Sequence, residues 1–264
     1  MRACPRAPRP FLPVAFTCTA LLVLMGAVEA QERPVDLELV LAVDASSSVS
    51  TAEFELQIRG LAEAFRSREV IEAIRASGDL GIAVALIQWS DNRKQFLAVD
   101  WTAVGDQPSA LALAAEIEGT PRFLVGGGTA IGGALRFAMR QFDRNGFAGR
   151  RKVIDVSGDG RTNQGSQPSR VRDLAVARGI TINGLAILNE DPTVDSYYFA
   201  HVIGGTGAFV MTANDYEAYG LAILAKLIKE ISGVPVAARQ PAPGRALATA
   251  RPSGAARRAG WARA

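Results

Sequence analysis

The sequence predicts a doubly wound α/β fold, a mostly parallel sheet with one antiparallel edge strand and helices on both faces. Apolar runs of strand length alternate with stretches of helical periodicity, the pattern of a parallel sheet covered on both sides. The first run, residues 37–43 (LELVLAV), is nearly continuous in apolar character rather than alternating, as expected where both strand faces are buried. Each later crossover is long enough to hold a helix, so strands can return parallel to one another.

Taken in order, residues 37–43 form the first strand and end in Asp44-Ala45-Ser46-Ser47-Ser48. Ser50 and Glu53 then make a capping box, and Phe54, Ile58, Leu61 and Phe65 follow at helical spacing. Residues 80–89 (LGIAVALIQW) are a second strand. Residues 95–101 return as its antiparallel neighbour across the polar Ser90-Asp91-Asn92 turn. A short helix is expected over 109–118. After Gly126, Gly127 and Gly128 another carries Leu135, Met139 and Phe142. Strand 153–157, helix 168–178, strand 180–188, helix 194–203, a short strand at 208–211 and a closing helix over 215–231 complete the body. No internal repeat or interior linker interrupts it, so a single domain over 36–232 is expected.

The two ends differ from this body. Residues 1–30 carry Arg2, Arg6 and Arg9, then an apolar run over 11–28, then Val28-Glu29-Ala30, and are read as a cleaved signal peptide. An uncleaved membrane anchor is the alternative, weakened by Pro13 and the Thr17-Cys18-Thr19 patch. Cys4 and Cys18, the only cysteines of the 264-residue chain, both lie in this segment. The mature protein then has no disulfide, zinc-thiolate site or thiol nucleophile. Residues 234–264 are rich in Ala, Arg, Pro and Gly without apolar period, and are read as a disordered basic tail. The leader holds three arginines against Glu29 and the tail six arginines and no acid. The net charge of +3 therefore leaves the body between them at −5. An acidic body excludes nucleic acid as the main partner. Membrane contact is expected only through an uncleaved leader or weakly through the tail, and a periplasmic or secreted location follows.

Ligands of open α/β sheets bind beyond the carboxyl ends of the strands, where strand order reverses. Three polar segments fall at such ends: Asp44-x-Ser46-x-Ser48, Gly128-Thr129 and Ser157-Gly158-Asp159-Gly160. They offer carboxylates and hydroxyls with no imidazole or thiolate. An all-oxygen set suits a hard cation, Mg²⁺, Mn²⁺ or Ca²⁺, and is poor for zinc or copper.

These segments resemble the metal-ion-dependent adhesion site of von Willebrand factor A domains. Asp44-Ala45-Ser46-Ser47-Ser48 matches its first segment, Thr129 its threonine and Asp159-Gly160 its third segment, while residues 87–91 resemble the family's second strand. The similarity covers roughly residues 36–232. Residues 153–160 and 202–205 further resemble a bacterial subfamily of exported A-like proteins of unassigned function. The resemblance implies that Ser46 and Ser48 bind the cation directly, Thr129 directly or through water, and that Asp44 and Asp159 hold coordinated waters. It leaves one position for an acidic side chain of a protein partner, so the implied function is cation-dependent adhesion or assembly, not catalysis.

Other residues invite rival readings. A metal-dependent, phosphatase-like hydrolase using Asp44 and Asp159 is the alternative function, but such enzymes want a second acid where Ser46 stands. His201, the chain's one histidine, sits in a helical stretch with Tyr197, Tyr198 and Phe199, far in sequence from any nucleophile turn. Gly126-x-Gly128-x-x-x-Gly132 has the wrong spacing for a dinucleotide fingerprint. Loss of the site, leaving a scaffold, is disfavoured because all five positions are filled. Asp155, mid-strand, is expected to pair with a basic residue such as Arg151, or else to support the metal from behind. Ser47 is assigned no role.

Overall fold

The computed structural model describes residues 32–143 and 145–233. The predicted leader (1–30) and tail (234–264) lie outside the described residues. Six strands form one sheet: β1 (Arg33–Asp44), β2 (Ile82–Trp89), β3 (Gln95–Val104), β4 (Phe147–Gly158), β5 (Ile180–Ile187) and β6 (Val210–Ala213). Their order is β3-β2-β1-β4-β5-β6, and every pairing is parallel except β2 with β3. The helices are α1 (Thr51–Arg66), α2 (Arg68–Ala76), α3 (Gln107–Glu118), α4 (Ile131–Gln141), α5 (Pro168–Ala177), α6 (Val194–His201) and α7 (Tyr219–Ser232). None is long and apolar enough to cross a membrane.

β1 shows why its sequence does not alternate. Leu37, Leu39, Leu41 and Val43 point into the core shared with α1, α2, α3 and α7, whereas Val40 and Ala42 point into the core under α4, α5 and α6. Both sets are buried, so both registers of the strand must be apolar. The capping box of α1 forms as the sequence predicts, with Ser50 accepting from the Glu53 amide and Glu53 from the Ser50 amide. The sequence reading did not register α2. It follows α1 after the single residue Ser67, which caps it through its hydroxyl.

β4 starts six residues earlier than the apolar pattern suggests, because its polar beginning pairs with the start of β1. The charges there are absorbed by the fold. Arg150 pairs with buried Asp36 at 2.8 Å and Lys152 with buried Glu38 at 3.4 Å. The Arg151 guanidinium donates to the backbone carbonyls of Glu230 and Ile231 at the end of α7. Arg151 is therefore not the partner of Asp155. That role falls to Lys226 on α7, fully buried with its ammonium 2.6 Å from the Asp155 carboxylate and 2.5 Å from Glu230.

This buried cluster joins α7 to β4 and β5. Asn183 of β5 donates to the same Glu230 oxygen at 2.9 Å. One cation faces two acids, so the cluster is neutral only if one acid keeps its proton. Burial first, and the Asp155 charge second, push the Glu230 carboxyl up from 4.5 to about 8, against the pull of Lys226 and Asn183. Between these values the unfolded chain has released a proton that the folded chain retains. Stability from this group is therefore complete below pH 4.5 and declines as pH rises toward 8. Glu230→Gln, isosteric with the protonated acid, should flatten that decline. Urea unfolding between pH 5 and 8 should show the variant more stable than the parent at pH 8, by about 1 kcal/mol or more. Parallel curves for the two proteins would contradict the assignment.

Candidate metal centre

Strand order reverses between β1 and β4, and there the predicted loops meet. Asp44 is the last residue of β1, and Asp159 directly follows the end of β4. Asp44 Oδ1 accepts from the Ser46 amide at 2.7 Å, which closes the Asp-x-Ser turn. Ser46 and Ser48 hydroxyls stand 3.1 Å apart, and Ser48 donates to Asp159 Oδ1 at 2.9 Å across 111 residues of sequence. Thr129 stands just before α4, and its hydroxyl lies 3.8 Å from where a Cβ on Gly160 would be, facing the residue after Asp159. The structure thus brings all five sequence-predicted residues to one sheet edge. Asp44, Ser46 and Asp159 are wholly buried and Ser48 is exposed, so the cluster has a buried floor and one solvent-facing lip.

The electrostatics of this floor are unusual within the molecule. Of the six buried carboxylates among the described residues, Asp36, Glu38, Asp155 and Glu230 each ion-pair with an arginine or lysine. Asp44 and Asp159 have no such pair among the described residues. Burial first, and then the Asp159 charge, push the Asp44 carboxyl up to about 7. Asp159 is raised as well, by burial, against the pull of its hydrogen bonds from Ser48 and Tyr216. Asp44 Oδ2 is buried without a hydrogen-bond partner, as is the Tyr198 hydroxyl of α6. Both point at the space over Gly158, 2.7 and 2.8 Å from where a Cβ would stand. Two desolvated acids, a free oxygen and three hydroxyls form a donor set that fits a hard divalent cation. The described residues hold no group of three or more His, Cys, Asp or Glu side chains that could hold a metal ion, so a cation here would depend on the hydroxyls as well as the two acids.

Residues that the sequence reading passed over hold the loops in place. Ser47 is one: its hydroxyl donates to the Gly127 carbonyl and accepts from the Gly127 amide, both at 2.8 Å. Gly127 sits at φ +112°, and a Cβ there would lie 2.4 Å from the Ser90 hydroxyl. The glycine run therefore allows the close tie to Ser47 and Ser90. Arg122 donates to the carbonyls of Ala45 and Ser46 at 3.0 Å each and to Leu124, bracing the serine loop from beneath. Asn163 and Thr162 bind the backbone on either side of Thr129. Tyr216, just before α7, donates to Asp159 Oδ2 at 3.0 Å. Only Ser47 had a local sequence signal, its place inside the serine triplet; the others are distant in sequence. His201 is exposed and packs on Tyr197, with ring centroids 4.9 Å apart.

Comparisons with known proteins agree with this architecture. A family model described as "Protein of unknown function (DUF1194)" matches residues 34–235. No curated protein matches the chain in sequence. In structure, the chain resembles proximal thread matrix protein 1 from the mussel byssus, at 17% identity and a TM-score of 0.59, covering 76% of this chain and 48% of that one. It also resembles a von Willebrand factor type A protein from Catenulispora acidiphila, at 18% identity and 0.51, covering 75% and 43%. The pilus adhesin SpaC from Lactobacillus rhamnosus GG matches at 16% identity and 0.53, covering 77% and 31%. The chain spans half or less of each of these structures. At such identities the likeness is one of fold. One structure of the mussel protein has zinc in its metal-ion-dependent adhesion site.

The cradle over Gly158 gives a direct check. Gly158→Ala would drive a methyl against Asp44 Oδ2 and the Tyr198 hydroxyl, and should lower the unfolding free energy by about 1–3 kcal/mol in urea titrations. Gly160→Ala, whose Cβ would meet nothing nearer than 3.8 Å, should cost little. Equal effects of the two would show that the space over Gly158 is not as tight as described.

Proposed function

Because this chain belongs to the DUF1194 family and folds as a von Willebrand factor A domain, we propose that it is a divalent-cation-dependent protein-binding module. The observation that carries this reading is the pair of buried carboxylates, Asp44 and Asp159, left without an ion partner beside three converging hydroxyls. In this reading Ser46, Ser48 and Thr129 hold the ion through neutral oxygens, and Asp44 and Asp159 supply the balancing charge. A bound Mg²⁺-type ion supplies an electrophilic position for a carboxylate, strengthened because few of its direct ligands carry charge. The exposed lip at Ser48 is where an acidic side chain of a partner protein reaches it. Mg²⁺ or Mn²⁺ suits the set best, with Ca²⁺ as the larger-ion option.

Binding, not turnover, is the proposed activity. The Ser46 hydroxyl faces Ser48, and His201 lies out on the exposed side of α6. The phosphatase-like alternative has no observation in its favour here. We place the protein outside the cytoplasm, in the periplasm or secreted, on the strength of the leader pattern in residues 1–30.

Titration calorimetry should show one Mg²⁺ or Mn²⁺ site with a Kd of about 10 µM to 1 mM, or roughly −7 to −4 kcal/mol. Asp44→Ala should abolish that heat while the protein stays folded by circular dichroism. Unchanged heat in the variant would remove the metal reading. Steady hydrolysis of a phosphate or ester panel by the parent protein would favour the enzyme instead. Amino-terminal sequencing of protein recovered from the cell envelope or medium should begin near residue 31; a start at Met1 would count against export with cleavage.

A further inference from the structure

The surroundings of the cluster differ on its two sides, and the strand order fixes which side is which. β2 and β3 lie on one side of the β1/β4 reversal, and β5 and β6 on the other. Toward β5 the rim is acidic. Glu53 on α1 accepts from Asn189 at 3.2 Å, and Glu190 and Asp191 follow in the loop after β5, with Arg161 committed to Asp191 at 2.7 Å. Toward β2 and β3 the rim is basic and apolar. Arg93 and Lys94 stand in the β2–β3 turn with a single acid, Asp91, which pairs with Lys94 at 3.5 Å and leaves the turn one positive charge in excess. Beside them Phe96, Phe123 and Val125 are 41%, 45% and 80% exposed. Large apolar side chains clustered this openly are uncommon on a surface unless something covers them.

Phe96 and Phe123 stack on one another, Val125 follows two residues along the same loop, and that loop is tied to the candidate metal centre. The Phe96 and Phe123 rings lie 4.2 Å apart. The Phe123 amide donates to Gln88 near the end of β2, and the Lys94 ammonium donates to the Val125 carbonyl at 3.4 Å. The same segment is fastened to the serine loop at both ends, by Arg122 to Ala45 and Ser46 and by Gly127 to Ser47. Phe123 and Val125 are thus presented on a loop tied to Ala45, Ser46 and Ser47, with Phe96 at the start of β3 stacked on Phe123.

We propose that the partner is a protein segment whose metal-binding acid is flanked by a large apolar side chain, and that this side chain seats on Phe96, Phe123 and Val125. This rests on the metal reading above and adds the partner's chemistry. Charge complementarity sets the direction: an acidic segment leaving the metal is repelled by Glu53 and Glu190 toward β5 and attracted by the β2–β3 turn, where Arg93 and Lys94 outweigh Asp91. Burying a ring or branched aliphatic chain against this patch then adds affinity and selectivity to what one carboxylate supplies.

The test uses the full chain in MgCl₂ with three labelled, end-blocked pentapeptides, Gly-Phe-Glu-Phe-Gly, Gly-Ser-Glu-Ser-Gly and Gly-Phe-Gln-Phe-Gly, read by fluorescence anisotropy. The Phe-Glu-Phe peptide should bind about tenfold or more tightly than the Ser-Glu-Ser peptide, and the Gln peptide should not bind. The double variant Phe123→Ser/Val125→Ser should lose that preference while its calorimetric Mg²⁺ affinity matches the parent's. Equal binding of the two Glu peptides, or an unaltered preference in the variant, would overturn the proposal and leave the metal site standing. A dimer in sedimentation, or adsorption to anionic lipid vesicles, that the double substitution abolishes would assign the patch to a second copy or to membrane and also overturn it. Absence of Mg²⁺ heat in the parent would end both readings, and calorimetry detects that separately.

Discussion

Two acids buried side by side at the carboxyl ends of adjacent parallel strands are the constraint around which the upper edge of the sheet is built. Taking a carboxylate out of water is costly, and bringing a second one near adds repulsion. The chain meets the first cost with hydrogen bonds from the Ser46 amide, Ser48 and Tyr216. It meets the second only in part: the Arg122 charge pulls the Asp44 carboxyl down, but its donors go to the carbonyls of Ala45, Ser46 and Leu124 and not to either acid. Removing one acid from such a pair would relieve the strain, so the presence of both is better explained by a cation between them than by stability.

The lower half of the same sheet supplies the contrast that gives this argument force. There the chain also buries acids, at Asp36, Glu38, Asp155 and Glu230, and in each case a lysine or arginine is brought to them. Glu38 even takes the space left by Gly149, whose amide it accepts at 2.6 Å. The fold therefore brings a basic side chain to each of these four acids, Lys226 serving both Asp155 and Glu230. The buried pair at the strand-order reversal has no ion pair among the described residues, and this is the contrast on which the proposed cation site rests.

How much of this was legible in the sequence follows from the range of each interaction. The strands and most helices were readable because periodicity and capping are local; Ser50 and Glu53 announce α1 without help from any other segment. That the five predicted residues come together was readable because they lie at or just after strand ends or before a helix start, positions that the apolar pattern itself locates. The early start of β4 was not, because Arg150, Arg151 and Lys152 look solvated until Asp36, Glu38 and the end of α7 are brought alongside. For the same reason Lys226 could not be named as the partner of Asp155, 71 residues away in the numbering. Ser47 was discounted because its partner, Gly127, is 80 residues on.

Those long-range ties also decide what kind of site this is. Ser47 to Gly127, Ser90 to Gly126, Asn163 to the Thr129 amide and Tyr216 to Asp159 link five separate loops into one frame. Each bond contributes only about 1 kcal/mol on its own. Together they fix the donor atoms before any ligand arrives, so little ordering entropy is charged to binding. A frame of this kind selects by fit at a held position. In the proposed reading that held position is the one a cation takes, with the Ser46 and Ser48 hydroxyls and Asp159 already turned toward one another around it.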